Sequence, residues 1–104
     1  MIWYIKSTLH QPRMEKVKVA QAGSWVRCEK PTENDMSVLE TRGLDIDIIK
    51  DALDPHEVPR FEHNGKQIYF ITRLPDTDDE FNDYTTPMLF VIEDAYITTV
   101  SRDS

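Results

Sequence analysis

PMLFVI, residues 87–92, is a continuous apolar run with the length of one β-strand. A strand with apolar side chains on both faces is typical of the interior of a sheet, where each face packs against another layer. The run therefore predicts a central strand that is covered on both sides. The fold of the whole chain depends on which elements flank this strand and which elements cover it.

The segments on either side of this run also have the character of strands. Downstream, Glu93 and Asp94 indicate a turn, and AYITTVSR at 95–102 predicts the last strand. Upstream, RFEHNGKQIYFITRLP at 60–75 contains Asn64-Gly65, a strong hairpin signal. Between this hairpin and the 87–92 run, DTDDEFNDY at 76–84 is predicted to be an acidic surface loop. Period-two alternation in the second hairpin strand assigns opposite faces to Ile68, Phe70 and Leu74 and to Tyr69, Ile71 and Arg73.

Three further strands are predicted near the start of the chain. IWYIKST at 2–8 is rich in β-branched and aromatic residues, and EKVKVAQ at 15–21 alternates charged residues with valines. SWVRCEKP at 24–31 follows Gly23, and Pro31 ends it. Trp25 anchors this third strand, and we expect Trp3, Tyr4 and Trp25 to serve as core or interface anchors.

Two consecutive helices are predicted between residues 31 and 55. Thr32 is placed to cap the first, with Asp35 three residues on as the acid of a capping box, and Gly43 is placed to end it. Asp45 caps the second, and Pro55 ends it.

The second helix has a predicted buried side and an exposed side. Leu44 and Ile49 are spaced as a hydrophobic staple across the Asp45 cap, and Ile46, Ile49 and Leu53 are the predicted buried stripe. Asp51 points away from this stripe and is therefore predicted to be exposed.

This order of elements predicts one α/β (α+β) domain over residues 1–104. It has a mixed, largely antiparallel sheet, with two consecutive helices after the third strand. Two helices of about ten residues cover only part of one sheet face, whereas the 87–92 run requires cover on two. We therefore expect a partner chain, or sequence beyond residue 104, to cover the other face.

Composition excludes several classes of function. The chain has 12 Lys and Arg against 19 Asp and Glu, a net charge of −7, which disfavours nucleic acid as a partner. The single cysteine, Cys28, cannot pair within the chain, which fits a reducing cytoplasm. No apolar run approaches the roughly 20 residues that span a bilayer, so the chain itself is expected to be soluble.

Several familiar site motifs are absent. The acidic loop fails as an EF-hand because Phe81 stands at the sixth position, where glycine is required. There is no G-x-S-x-G elbow and no glycine-rich phosphate loop. The cluster Asp54, His56, Glu57, Glu62 and His63 lacks H-E-x-x-H spacing, and Pro55 and Pro59 break the helix that this motif needs.

The run DIIKDALDPHEVPRFE, 47–62, resembles the cytoplasmic N-terminal domain of the CorA family of divalent-cation channels, chiefly magnesium transporters. The resemblance extends upstream through SWVRCEKPTENDM and RGLD, and downstream through YTTPMLFVIEDAYITTV at 84–100. It covers about residues 20–100, and the order and spacing of the pieces carry it.

The resemblance implies a larger assembly. Family members are homopentamers in which this domain precedes a long stalk helix and two transmembrane helices with a Gly-Met-Asn signature. This chain is then an N-terminal fragment on the cytoplasmic face of the membrane, attached only through missing C-terminal helices. In the family, helices further along the chain cover the second sheet face. The implied function is regulation and scaffolding in Mg²⁺ or Co²⁺ transport, not enzymatic catalysis, although zinc-exporting relatives share the domain.

Asp51 matches the family's regulatory Mg²⁺ ligand, which lies between subunits. Its partner carboxylate comes from the neighbouring subunit's stalk helix, so we expect Mg²⁺ binding by the isolated chain to be weak or absent. Lys50 occupies an adjacent position that is often acidic in the family. A second, weaker cation site of the family therefore lacks this acidic ligand in the present chain.

Two other functions remain open. One is a stand-alone cytosolic protein-interaction module that associates through edge strands. The other is a small metal-dependent hydrolase using Asp51, Asp54 and Glu57.

Overall fold

The computed structural model describes residues 1–6, 15–17, 23–54, 56, 58–77 and 80–102. Within these residues the chain forms three strands, two helices and four strands, which confirms the predicted order and fold class. The elements are β1 (Ile2–Lys6), β2 (Glu15–Val17), β3 (Ser24–Glu29), α1 (Glu33–Thr41), α2 (Ile46–Ala52), β4 (Arg60–Asn64), β5 (Gln67–Thr77), β6 (Asp83–Ile92) and β7 (Tyr96–Ser101). The predicted continuations of the first two strands to residues 8 and 21 lie outside the described residues.

The described strands form one mixed sheet in the order β2-β1-β3-β7-β6-β5-β4. Adjacent strands in this sheet are antiparallel except for β3 and β7, which pair in parallel with Ser24 opposite Tyr96. Strand β6, which contains the 87–92 run, lies between β7 and β5. The prediction of a central strand is therefore confirmed.

The hairpin of β4 and β5 is also confirmed, with its turn one residue later than the Asn-Gly signal suggests. Asn64 pairs with Gln67, so the two loop residues are Gly65 and Lys66. Gly65 has φ +62°, and glycine at the first central position is the arrangement of a type II′ turn.

The acidic segment at 76–84 is less of a loop than predicted. Strands β5 and β6 stay paired as far as Thr77 opposite Asp83, so the connection is confined to residues 78–82. The Thr77 hydroxyl lies 3.3 Å from the Asp83 carboxylate across the two strands. Asp83 is exposed, so backbone pairing continues there while its carboxylate remains in water.

Both helix starts follow the predicted caps. The Thr32 hydroxyl accepts a hydrogen bond from the Asp35 amide at 3.1 Å, and the Asp35 carboxylate accepts one from the Thr32 amide at 3.0 Å. Asp45 caps α2 through its carboxylate, which accepts hydrogen bonds from the amides of Asp47 and Ile48. Gly43, with φ +89°, lies just after α1 and lets the chain turn directly into α2.

The two helices pack on one side of the sheet, here called the covered face. Leu39 of α1 and Ile49 of α2 are fully buried, in one core cluster with Ile71 and Leu89 of the sheet. The other buried members of this cluster are Cys28, Leu44, Ile48, Ala52, Tyr69, Val91 and Val100. Burial of both Leu44 and Ile49 in this cluster agrees with the predicted staple.

The buried stripe of α2 differs from the predicted one. Ile48, Ile49 and Ala52 are buried, whereas Ile46 and Leu53 are only partly buried at its edges. At 100° per residue, positions 48, 49 and 52 share the side that faces the sheet. The prediction was right for Ile49 and wrong for the centre of the stripe.

The other side of the sheet, here called the open face, has no helix on it within the described residues. Its cross-strand pairs include Phe70 with Phe90 and Trp25 with Ile97. Phe70 is 43% exposed and Ile97 48% exposed, whereas Leu89 on the covered face is fully buried. The two helices therefore lie on one face only, and the described residues leave the other face of the 87–92 run without cover.

A hydrogen-bond network ties the junction of the helices to β5. The buried hydroxyl of Tyr69 accepts a hydrogen bond from the Asp45 amide and donates one to the Gln67 side chain, both at 2.7 Å. Gln67 in turn donates to the Gly43 carbonyl at 3.0 Å. Burial raises the pKa of the Tyr69 hydroxyl, so it stays protonated and able to donate.

Candidate functional site

Asp51 lies on the outer side of α2, as predicted. Its side chain is 56% exposed, while its helix neighbours Ile49 and Ala52 are buried. A carboxylate in this position is accessible to a cation or to another protein surface. Lys50, the preceding residue, is also exposed.

The carboxylate of Asp51 is engaged within its own chain. The guanidinium of Arg60, the first residue of β4, donates a hydrogen bond to Asp51 Oδ2 at 3.0 Å. Its Nε lies 3.5 Å from Oε1 of Glu62, two residues further along the same strand. The three residues Asp51, Arg60 and Glu62 are called the Arg60 cluster below.

Sequence reasoning did not single out Arg60 or pair Glu62 with it. The contact joins residues nine positions apart across the exit of α2, where the chain reverses into β4. Neither helical nor strand spacing brings such positions together. The one signal in the sequence for this contact is weak: a basic residue, Arg60, stands at the start of a strand directly after Pro59.

The remaining carboxylates of this region do not converge on Asp51 within the described residues. Asp54 uses its side chain to accept a hydrogen bond from the backbone amide of His56 at 2.8 Å. Glu57, the third residue of the hydrolase hypothesis, lies outside the described residues. In the part of the chain that the structure describes, no group of three or more His, Cys, Asp or Glu is placed to hold a metal ion.

The chemistry of Asp51 nevertheless fits a share in a magnesium site. Mg²⁺ prefers oxygen ligands, keeps several of its waters and needs only one or two carboxylates. Asp51 offers one exposed carboxylate, which is paired with Arg60 in this structure. One such carboxylate could serve as a single ligand of a magnesium ion, and the described residues supply no second carboxylate beside it for the same ion.

The open face carries the second candidate surface. Trp25, Phe90, Ile92 and Ile97 line an apolar groove of about 520 Å³, beside the turn that connects β6 to β7. The remaining lining residues include Glu93 and Asp94 of this turn. The Trp25 indole donates a hydrogen bond to the Thr99 hydroxyl at 2.8 Å, which fixes the ring on the sheet.

One charged residue lies among the aromatic rings of the open face. The Arg27 guanidinium is 5.6 Å from the Trp3 ring centroid and 5.7 Å from that of Trp25, within the range of cation–π attraction. It also pairs with the largely buried Glu29. Trp3 and Trp25 are therefore surface anchors, whereas Tyr4 lies on the covered side with Arg42 over its ring.

Residues 20–104 match the family model described as CorA-like Mg²⁺ transporter protein. The chain belongs to this family. The resemblance seen in the sequence from about residue 20 onward is thereby confirmed.

Solved structures similar to this CorA-like chain show the same fold. Three of these alignments each cover 98–100% of this chain, at low sequence identity. The soluble domain of CorA from Methanocaldococcus jannaschii matches with a TM-score of 0.78 and 18% identity. The complete CorA magnesium transporter of that organism gives 0.76 and 16%, and the ZntB cytoplasmic domain from Vibrio parahaemolyticus gives 0.76 and 13%.

This CorA-like chain is shorter than the structures it matches. It spans 41% of the soluble CorA domain, 33% of the complete transporter and 43% of the ZntB domain. No curated protein matches its sequence significantly. Among the described residues, no helix combines the length and the apolar character that crossing a membrane requires.

Proposed function

We propose that this chain is the N-terminal cytoplasmic domain of a divalent-cation transporter that carries Mg²⁺ or Co²⁺. In this proposal the domain stands on the cytoplasmic face of the membrane and assembles with other copies of itself, as a homopentamer. It acts as a scaffold and takes part in sensing the cation and gating the channel, rather than in catalysis. The family match over residues 20–104 carries the proposal.

Asp51 is the proposed residue for cation sensing. Its exposed carboxylate supplies one hard oxygen ligand, and a carboxylate from the neighbouring subunit supplies the other. Each chain carries a net charge of −7, so adjacent copies repel one another. A bound cation contributes the positive charge that offsets this repulsion, and its loss shifts the population toward separated subunits and an open pore.

The open face supports a role inside a larger protein. Phe70, Ile92 and Ile97 are each more than 40% exposed and lie on the same side of the sheet. Contiguous apolar surface of this kind is typical of an interface rather than of a free monomer. We propose that helices encoded beyond residue 104 cover it in the transporter.

The identity of the cation rests on the family description rather than on the fold. This domain resembles both a CorA magnesium transporter and a ZntB cytoplasmic domain at nearly equal TM-scores. The description of the matching family names Mg²⁺, which is why Mg²⁺ is placed first.

The cation proposal is tested by adding Mg²⁺ to the 104-residue chain and following backbone amide shifts by NMR. We expect weak shifts around Asp51 that do not saturate below several millimolar, because one chain holds only part of the site. Asp51→Asn removes these shifts. Asp47→Asn, a substitution on the exposed side of the same helix, is the matched control and leaves them in place.

Two results would contradict this proposal for Asp51. Saturable binding below one millimolar would mean that the chain holds a complete site. Shifts that persist in the Asp51→Asn variant would place the ion elsewhere.

The second candidate function is a stand-alone protein-interaction module, and the open face favours it. Reading the coding sequence beyond codon 104 separates the two functions. Two apolar spans with Gly-Met-Asn support the transporter domain, whereas a stop codon directly after Ser104 supports the interaction module.

A further inference from the structure

We infer that Arg60 competes with the divalent cation for Asp51 and thereby sets the cation concentration at which this carboxylate becomes occupied. The inference rests on the proposed function of Asp51 and adds a regulatory element from the same chain. In the absence of the cation, Arg60 neutralises Asp51 internally.

The geometry places the guanidinium where a bound cation would have to act. Arg60 donates to Asp51 Oδ2 at 3.0 Å, so this oxygen already has a positively charged partner. A divalent cation that takes the same oxygen must displace the guanidinium or share the carboxylate with it. Both alternatives weaken binding relative to an unpaired aspartate.

Glu62 is a second carboxylate beside Arg60. The Arg60 side chain is 31% exposed, against 56% for Asp51, so Arg60 is the more buried partner of the pair. Glu62 lies two residues along β4, on the same face of the strand, with Oε1 3.5 Å from Arg60 Nε. When Asp51 binds a cation, Arg60 still has the carboxylate of Glu62 nearby and does not become an unpaired charge.

The strength of the competition is modest, which suits a sensor that must respond reversibly. An ion pair with one partner more than half exposed contributes little, on the scale measured for surface salt bridges. This scale corresponds to a change of about two- to fivefold in the apparent dissociation constant for the cation. Arg60 thus adjusts the threshold of the site without blocking it.

The experiment compares Mg²⁺ titrations of the wild-type chain, Arg60→Gln and Lys50→Gln, each followed by amide shifts around Asp51. Arg60→Gln is expected to bind Mg²⁺ about two- to fivefold more tightly. Lys50→Gln is the matched control. It removes the same charge from the residue next to Asp51, and none of the ion pairs among the described residues includes Lys50.

A second readout follows the arginine itself. In the wild-type chain, the Nε–H resonance of Arg60 is expected to shift during the titration with the same dependence on Mg²⁺ as the Asp51 amide. Arg60→Met, which keeps an unbranched stem for packing and removes the charge, repeats the test if the glutamine variant is poorly folded.

The outcomes separate this inference from the proposed function. Equal effects of Arg60→Gln and Lys50→Gln, or no effect of either, would overturn the competition while leaving Asp51 as a ligand. Mg²⁺ shifts that survive Asp51→Asn would overturn the ligand assignment and the competition together. A tighter Arg60→Gln variant, with Lys50→Gln close to wild type, supports the inference.

Discussion

The two faces of the sheet are built from the same strands and have opposite roles. On β5, Ile71 is 1% exposed beneath the helices, while its neighbour Phe70 is 43% exposed on the other side. On β6, Leu89 is fully buried and Ile92 is 44% exposed. Both faces are apolar, so composition does not distinguish them. The difference teaches that one face holds this domain together and that the other is available to a partner.

The covered face also organises the helices. α1 has nine residues and α2 has seven, lengths at which isolated helices are marginal in water. Packing of Leu39 and Ile49 against the sheet, together with the Tyr69 network, therefore stabilises them. No equivalent layer lies on the open face within the described residues, and its aromatic rings pack on the sheet itself.

The largest effect is expected from removing the same side chain on each face. Ile71→Ala empties a fully enclosed site and should lower the free energy of unfolding by about 3 kcal/mol. Ile97→Ala, the matched control at a residue that is 48% exposed, should cost less than about 1 kcal/mol. Urea denaturation midpoints measure both. Equal losses would show that the open face is covered in the free chain.

The next effect concerns thiol reactivity. Burial raises the pKa of the Cys28 thiol from 9.0 to about 11, so the thiolate at pH 8 is about 100-fold scarcer than in an exposed cysteine. We expect native Cys28 to react with a disulfide reagent more slowly than an exposed cysteine by at least this factor. In guanidinium, which unfolds the chain, Cys28 should react at the rate of an exposed cysteine. Ile97→Cys in a Cys28→Ala background places a thiol on the open face and should react at an ordinary rate. Rapid labelling of native Cys28 would mean that the covered face opens readily.

The smallest effect is expected from the polar tie between helices and sheet. Tyr69→Phe keeps the ring but leaves the Asp45 amide and the Gln67 side-chain oxygen without this partner, at a cost of about 1–2 kcal/mol. Tyr4→Phe, in which the ring beneath Arg42 is kept, serves as the comparison and should change stability less. Thermal unfolding resolves the difference. Equal unfolding midpoints would show that the hydrogen bonds of Tyr69 do not stabilise the covered face.

Much of the fold was predictable because its signals are local. Thr32 and Asp35 form their capping box, Asp45 caps α2, and the alternation at 68–74 assigns side chains to the correct faces. Each of these features depends on residues within a few positions of one another, where backbone geometry fixes what meets what. The extension of β5 and β6 beyond the predicted strand ends was not predicted, because acidic composition suggested a loop.

The features that depend on distant pairing could not be predicted from the sequence. The parallel register of β3 on β7 joins Trp25 to Thr99 across 74 positions, and no local pattern specifies such a partner. The exposure of Asp51 followed from helical spacing, whereas its ion pair with Arg60 depends on how the chain turns after α2. Its role in cation binding is a proposal that rests on the family and not on spacing.

The parallel pairing of β3 with β7 has a consequence for how the chain is made. Strand β7 is the last of the described strands along the chain, and in the sheet it lies between β3 and β6, where it joins β1, β2 and β3 to the β4–β6 meander. Closing a contact of such long range is slow, since the entropy of the whole intervening loop is lost first. During synthesis, therefore, the edge of β3 that pairs with β7 stays unpaired until residues 96–101 emerge.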